Sequence, residues 1–304
     1  MNKIAAVCPY INKTGNNFKL KPFMSWSRIG GAIQEGHYPI RLFHRLFYSR
    51  DIIPSLFIGK KKTGICFIQP ISLYFDTYSS VLHYEIVPFI WDCWPCYDDK
   101  LCKWIERHHV KTCIFTSSEA ANRISTRLPS LNILVVTEGI CLEEYPQGKE
   151  LYDRNNDLFL FGRWPGYVSK VDFSAMKVVK NGTDEEFRKR LQDSKITINV
   201  PRCDVVPEQT GNQETLTQRY WECMLSRMVM VGRAPKELTD LIGYNPVIDI
   251  DKEHLESQVK DIITHIDTYQ QLVDRNRETA LQMGSWDIRM KQVMEWLQSL
   301  GYNI

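Results

Sequence analysis

The sequence predicts an α/β protein of two domains, each a parallel sheet with crossover helices. Three observations carry this. The chain has 304 residues, enough for two domains of ordinary size. From His83 to Thr137 short apolar runs alternate with amphipathic stretches in the order strand, helix, strand, helix, strand, which is the pattern of parallel strands joined by helices. Residues 142–157 are polar with Pro and Gly, the composition of an interdomain linker, and a fresh apolar run starts at Leu158–Phe161.

Ile4–Val7 reads as a first strand, and Trp26-Ser-Arg-Ile-Gly-Gly31 as a loop entering a helix, its Gly-Gly a plain turn. Ile52–Ile58 and Thr63–Ile71 read as short strands separated by the Lys60–Lys62 turn. Ile86–Trp91 is a buried-strand run, followed by Asp92. Lys100–His109 is a helix, Thr112–Phe115 a strand, Ser118–Leu128 a helix and Ile133–Val136 a strand. Asp92 and Glu138 fall just past strand ends, where ligands of such sheets gather. In the second half Met176–Val179 and Ile196–Val200 read as strands flanking a Thr183–Asp193 helix. Pro201–Asn212 is a turn-rich loop expected to close over a ligand. Leu255 to Tyr269 and Trp286 to Leu297 carry two core-facing helical stripes.

The stretch Glu214–Gly232 holds two glutamates, Glu214 and Glu222, with seven residues between them. Thr217 is a candidate N-cap, Leu216, Tyr220, Met224 and Leu225 recur at helical spacing, and Met228–Val231 is a strand. The helix N-terminus offers unbonded N–H groups and partial positive charge to a phosphate, and carboxylates beside it accept bonds from sugar hydroxyls.

This segment resembles the E-x7-E segment of the GT-B-fold glycosyltransferases of the group 1 superfamily. Two further stretches share the resemblance: Trp91-Asp-Cys-Trp-Pro95, and Gly162-Arg163 followed by Lys170. The resemblance implies two Rossmann-like domains facing each other across a cleft. Residues 1–150 would form an acceptor-side domain and 151–285 a nucleotide-sugar domain, with 286–304 a last helix crossing back to the first. It implies transfer of a sugar from a nucleotide-diphosphate donor to a glycan or lipid-linked acceptor, with retention of configuration. Glu222 would hold the ribose and Glu214 the sugar hydroxyls. Arg163 and Lys170 would hold the diphosphate, assisted by N–H groups at Thr215, Leu216 and Thr217, with Arg219 in reach of Glu222 or a phosphate. Asp92 is the carboxylate placed to act as a base or to touch the acceptor. With cations to supply the charge, the resemblance implies that no metal and no cofactor beyond the donor is required. The chain departs from the pattern where Trp91 stands for His, Cys141 for Asp and Arg227 for Gly. Those departures keep open a second reading, a non-catalytic nucleotide-binding or membrane-surface adaptor that retains the fold.

Charge is uneven. Residues 1–62 hold eleven Lys and Arg against Glu35 and Asp51, a net +9 in a chain of net +2, which leaves −7 elsewhere. Arg41-Leu-Phe-His-Arg-Leu-Phe-Tyr-Ser-Arg50 interleaves cations with aromatics, which fits an anionic membrane surface and equally an amphipathic helix on a core. Nucleic acid is disfavoured, because the charge is confined to one end and no binding motif appears. No run of about 18 apolar residues is present. The nine cysteines, an odd number, read as reduced thiols, and the expected location is the cytoplasm, peripheral to a membrane. Cys93-Trp-Pro-Cys96 lacks the second CxxC of a zinc site.

Overall fold

Among the described residues every strand pairs in parallel, in two separate sheets. The computed structural model describes residues 4–8, 20–35, 63–73, 85–180 and 182–304. The chain divides into two units, Met1–Thr137 with Trp286–Ile304, and Glu138–Ser285. The expected strand at Ile52–Ile58, the Lys60–Lys62 turn and the basic run Arg41–Arg50 lie outside the described residues.

The first unit contains β1 (Ile4–Cys8), β2 (Ala32–Glu35), β3 (Thr63–Ile68), β4 (Glu85–Ile90), β5 (Thr112–Phe115) and β6 (Asn132–Val135), in the order β2-β1-β3-β4-β5-β6. Thr63–Ile68 and Ile86–Ile90 are buried at every position, as strands covered on both faces must be. Pro88 is tolerated in β4 because β5 joins that strand only from Phe89 onward. Helices α1 (Lys21–Arg28), α2 (Asp98–Arg107) and α3 (Ser118–Arg127) belong to this unit, as does the C-terminal helix Trp286–Ser299. That helix buries Trp286, Met290, Val293 and Leu297. The Ser25 hydroxyl and the Arg28 guanidinium, the latter at 3.0 Å, both hold Asp287 in its first turn. Trp26-to-Gly31 differs from expectation: a helix with Pro22 in its first turn ends there, and Gly30 takes φ +96° to close it.

The second unit contains β7 (Asn156–Leu160), β8 (Val178–Lys180), β9 (Ser194–Asn199), β10 (Val229–Gly232) and β11 (Ile248–Asp249), in the order β11-β10-β9-β7-β8. Its helices are α4 (Asp184–Asp193), α5 (Pro207–Thr210), α6 (Gln218–Leu225), α7 (Lys236–Ile242), α8 (Leu255–Thr264) and α9 (Gln270–Met283). Strand alternation splits the core. Phe159, Phe161 and Met230 pack with α6, while Leu158, Leu160, Ile196, Ile198, Val229 and Val231 pack with α8. The turn-rich segment 201–212 is not irregular throughout, since it holds a 3-10 turn at Arg202–Asp204 and then α5.

The units divide at Thr137/Glu138, not at the 150/151 boundary that polarity suggested. Residues 138–150 are fastened inside the second unit. The Ile140 amide donates to Gly284 O at 2.8 Å, and the Trp221 indole donates to Glu138 O at 2.8 Å. Leu151 is fully buried.

Candidate functional site

The order of the second sheet reverses at β7, which pairs with β8 on one side and β9 on the other. The carboxyl ends of β7 and β9 therefore flank a topological switch point, the place where open parallel sheets bind ligands. The segment Phe161–Lys170 leaves β7 there, Val200–Thr210 leaves β9, and Arg233–Lys236 leaves β10. α6 feeds β10 through a tight turn, so its N-terminus returns to this same edge. The Tyr220 hydroxyl, in the first turn of α6, donates to Arg233 O at 2.7 Å.

α6 forms because Tyr220, Trp221, Met224 and Leu225 make one buried face. It ends at Arg227, which adopts φ +58°. The Arg227 amide bonds Met224 O at 3.1 Å and the Met228 amide bonds Cys223 O at 3.0 Å, a Schellman closure. Glycine is the easy residue there, and Arg227 compensates through its side chain. Its guanidinium bonds Glu150 at 2.9 and 2.8 Å and Asp274 at 2.6 Å. Thr217 occupies the N-cap position in extended conformation, yet its hydroxyl caps nothing. The cap is Glu138, whose Oε2 accepts from the Gln218 amide at 3.1 Å.

Glu222 is half-buried in the second turn of α6. Its Oε1 accepts from the Tyr145 hydroxyl at 2.8 Å, and none of the described residues bonds its other oxygen. Burial raises its pKa, the Tyr145 bond and the Arg219 charge pull it back, and the net direction is upward. Tyr145 is itself pushed up, by burial and then by the Glu222 charge. Glu214 has both oxygens engaged. Oε1 pairs with Arg233, and Oε2 accepts from the Lys236 amide at 2.7 Å. Arg233 also forks onto Asp204 at 2.9 and 2.7 Å, and these bonds hold its pKa up. A sugar hydroxyl reaching Glu214 must share its oxygens with these donors.

Arg163 and Lys170 are exposed on the loop after β7, with no hydrogen-bond or ionic partner for either side chain among the described residues. Arg219 does not pair with Glu222. Its Nη1 donates to Arg163 O at 3.0 Å, and its guanidinium lies over the Phe161 ring, 5.4 Å from the centroid. Gly162 makes this approach possible, because a Cβ there would stand 1.7 Å from Arg219 Nη2. The loop and α6, 56 residues apart in sequence, are thus joined directly. Of the expected N–H donors, Leu216 already donates to Glu237 Oε2 at 2.9 Å, whereas the Thr215 and Thr217 amides donate to none of the described residues. Thr215 Oγ1 and Gln218 Nε2 are buried at this helix end without a partner.

Asp92 belongs to the first unit, apart from the others in the division of the chain. It follows β4 at φ +50° and accepts from Gln69 Nε2 at 2.7 Å. The left-handed conformation costs roughly 1–3 kcal/mol for a non-glycine residue. Trp91 is a core residue, stacked on Trp286 at 5.4 Å and tilted against Phe67 at 5.1 Å. Cys141 is buried as well. The Cys93 thiol is pushed far above its ordinary range, by burial and then by Asp98. Tyr145, Arg233, Asp204 and Glu237 were not anticipated. Arg233 and Glu237 had a readable signal, a position just past a strand end. Tyr145 had none, since it meets Glu222 across 77 residues.

No family model matches the chain, and no characterised protein matches it in sequence. Solved structures do match in fold. A glycosyltransferase from Rickettsia africae aligns over 100% of this chain and 99% of its own, at 11% identity and TM-score 0.56. HepE of Anabaena, solved with UDP and glucose, aligns over 98% and 100% at 11% identity and TM-score 0.63. Sucrose-phosphate synthase of Thermosynechococcus elongatus aligns over 99% and 99% at 10% identity and TM-score 0.64. The chain has the GT-B fold.

Proposed function

We propose that this protein is a glycosyltransferase that takes a sugar from a nucleotide-diphosphate donor. The observation that carries the reading is the Arg219–Arg163 junction, which ties the loop bearing the exposed Arg163 to α6 and its half-buried Glu222. In this reading Arg163 and Lys170 neutralise the diphosphate as it departs, in place of a metal ion, and the Thr215 and Thr217 amides add donors. Glu222 accepts from the ribose, and Glu214, oriented by Arg233, accepts from the sugar. The acceptor hydroxyl attacks the anomeric carbon, and the bond to the diphosphate breaks with its electrons going to the phosphate oxygen. The acceptor proton passes to that oxygen, with configuration retained. Asp92 is proposed to contact the acceptor, a glycan or lipid-linked glycan.

Trp91, Cys141 and Arg227 each have a packing or turn role, so none of these departures now favours the adaptor reading. The test is binding and turnover across UDP-, GDP- and ADP-sugars. One donor should raise the melting temperature and be hydrolysed or transferred. Glu222→Gln should weaken its binding by about 1.5–3 kcal/mol, as for a bond to a charged acceptor. Glu214→Ala should lower turnover and leave free-nucleotide affinity nearly intact. Binding without any turnover would restore the adaptor. No helix among the described residues is long and apolar enough to cross a membrane. The proposed attachment of the basic N-terminal segment to anionic lipid should show as vesicle co-sedimentation lost at 1 M salt, where the Debye length is about 3 Å.

A further inference from the structure

Among the described residues the Glu222 carboxylate has one hydrogen-bond partner, the Tyr145 hydroxyl. The Tyr145 ring packs against the core cluster that contains Trp221 and Met224. Its amide closes a 3-10 turn onto Leu142 O at 3.1 Å. The hydroxyl so anchored meets Glu222 Oε1 at 2.8 Å. A carboxylate on a flexible side chain otherwise samples several rotamers, and burial favours its protonated form, which is a poorer acceptor. We propose that Tyr145 is a positioning residue of the nucleotide site, holding Glu222 in one orientation with its second oxygen presented to the ribose hydroxyls. The proposal rests on the nucleotide-sugar reading and adds to it a residue that touches no ligand.

The charged and titratable surroundings are few. Arg219 and Cys223 lie on α6 itself, and Cys223 is held protonated by burial and then by the Glu222 charge. Arg188 of α4, paired with Glu144 at 3.3 Å, and Cys141 flank Tyr145. Among the described residues Tyr145 is therefore the one group that donates directly to the Glu222 carboxylate, and its removal acts on Glu222 in two ways. The carboxylate loses its orientation, and it takes up a proton at higher pH.

The experiment is calorimetric titration of UDP-glucose and GDP-glucose from pH 5 to 8, donors whose diphosphates carry no proton in that range. It uses the wild-type chain, Tyr145→Phe, Glu222→Gln and the double variant, each checked for an unchanged circular dichroism spectrum. For the donor that binds, affinity should fall on acidification in the wild type, and in Tyr145→Phe the midpoint of that fall should move up by about one pH unit. At pH 7 Tyr145→Phe should bind roughly three- to tenfold more weakly. In Glu222→Gln the acid limb should vanish, and adding Tyr145→Phe should change little. A loss equal at every pH, or the same loss in the Glu222→Gln background, would overturn the proposal in favour of a purely structural tyrosine. Tighter binding by Tyr145→Phe would overturn it too, making the hydroxyl a competitor of the ligand. A wild-type chain that binds neither donor would bring down the nucleotide-sugar reading first, whereas normal wild-type binding with an unshifted Tyr145→Phe profile brings down this proposal alone.

Discussion

Glu222 and Arg227 sit five residues apart and show two ways in which a single side chain carries a cost. Burial raises the Glu222 pKa above the ordinary carboxylate value of about 4.3. Between that value and the folded one, the folded chain holds a proton that the unfolded chain has released, so stability falls as pH rises through the window. Glu222→Gln should therefore stabilise the ligand-free chain at pH 8 and lose that advantage as pH approaches 4.3, while weakening the proposed nucleotide binding. Urea midpoints at both pH values measure it, and equal gains at the two would refute the buried charge as the cause. Arg227 carries backbone strain and offsets it with bonds to Glu150 and Asp274. Arg227→Ala keeps the strain and loses the bonds, costing about 2–3 kcal/mol because both carboxylates retain water access. Arg227→Gly loses the same bonds but fits the turn, so it should be the more stable of the two by about 1 kcal/mol. In sequence Arg227 was visible as an odd residue at a turn; its two carboxylate partners, on distant segments, were not.

At the scale of elements, the strand runs were legible and the polar segments were not. Parallel strands covered on both faces read as unbroken apolar runs, which is why Ile86–Ile90 and Thr112–Phe115 stood out. Residues 142–157 resembled a linker because polar, turn-rich composition also describes a segment whose polar groups serve the backbone of its neighbours. Arg154 makes the point. It is buried, has no carboxylate partner among the described residues, and spends its donors on carbonyls: Lys149 O at 3.0 and 2.9 Å, Ser194 O at 2.7 Å and Ser226 O at 2.7 Å. Burial and then the Arg227 charge bring its pKa down to about 10. One guanidinium thus ties the end of α4, the start of β9 and the end of α6 to the segment that precedes β7. Arg154→Met should cost about 3–5 kcal/mol, since the carbonyls keep their burial and lose their donor. Arg154→Lys should recover less than half of that, because a single ammonium cannot span three directions as the planar fork does. Hydrogen exchange at the β9 and β10 amides reads the loss locally. Unchanged exchange in Arg154→Met would return the segment to the status of a tether.

For the whole molecule, the division of the chain makes one unit continuous and the other not. The first unit needs both ends of the sequence, Met1–Thr137 and Trp286–Ile304, whereas the second runs unbroken from Glu138 to Ser285. Arg163, Lys170, Thr215, Arg219, Glu222, Glu214 and Tyr145 all lie in the unbroken stretch. A fragment of residues 138–285 should therefore fold alone and bind the nucleotide part of the donor within about tenfold of the full chain. The converse truncation removes the C-terminal helix. Trp286, Met290, Val293 and Leu297 are each at most 3% exposed in the core of the first unit, and Trp286 stacks on Trp91. Each such side chain contributes about 1.5–3 kcal/mol by burial, so the four contribute about 6–12 kcal/mol. That is comparable with the whole stability of an ordinary domain, about 5–15 kcal/mol. A chain ending at Ser285 should show the first unit without protected amides in hydrogen exchange, the second with its normal protection, and nucleotide binding intact. Protected first-unit strands in that truncation would mean that the remaining helices suffice for its core. A folded 138–285 fragment that fails to bind a nucleotide held by the full chain would mean that the first unit supplies part of the nucleotide site.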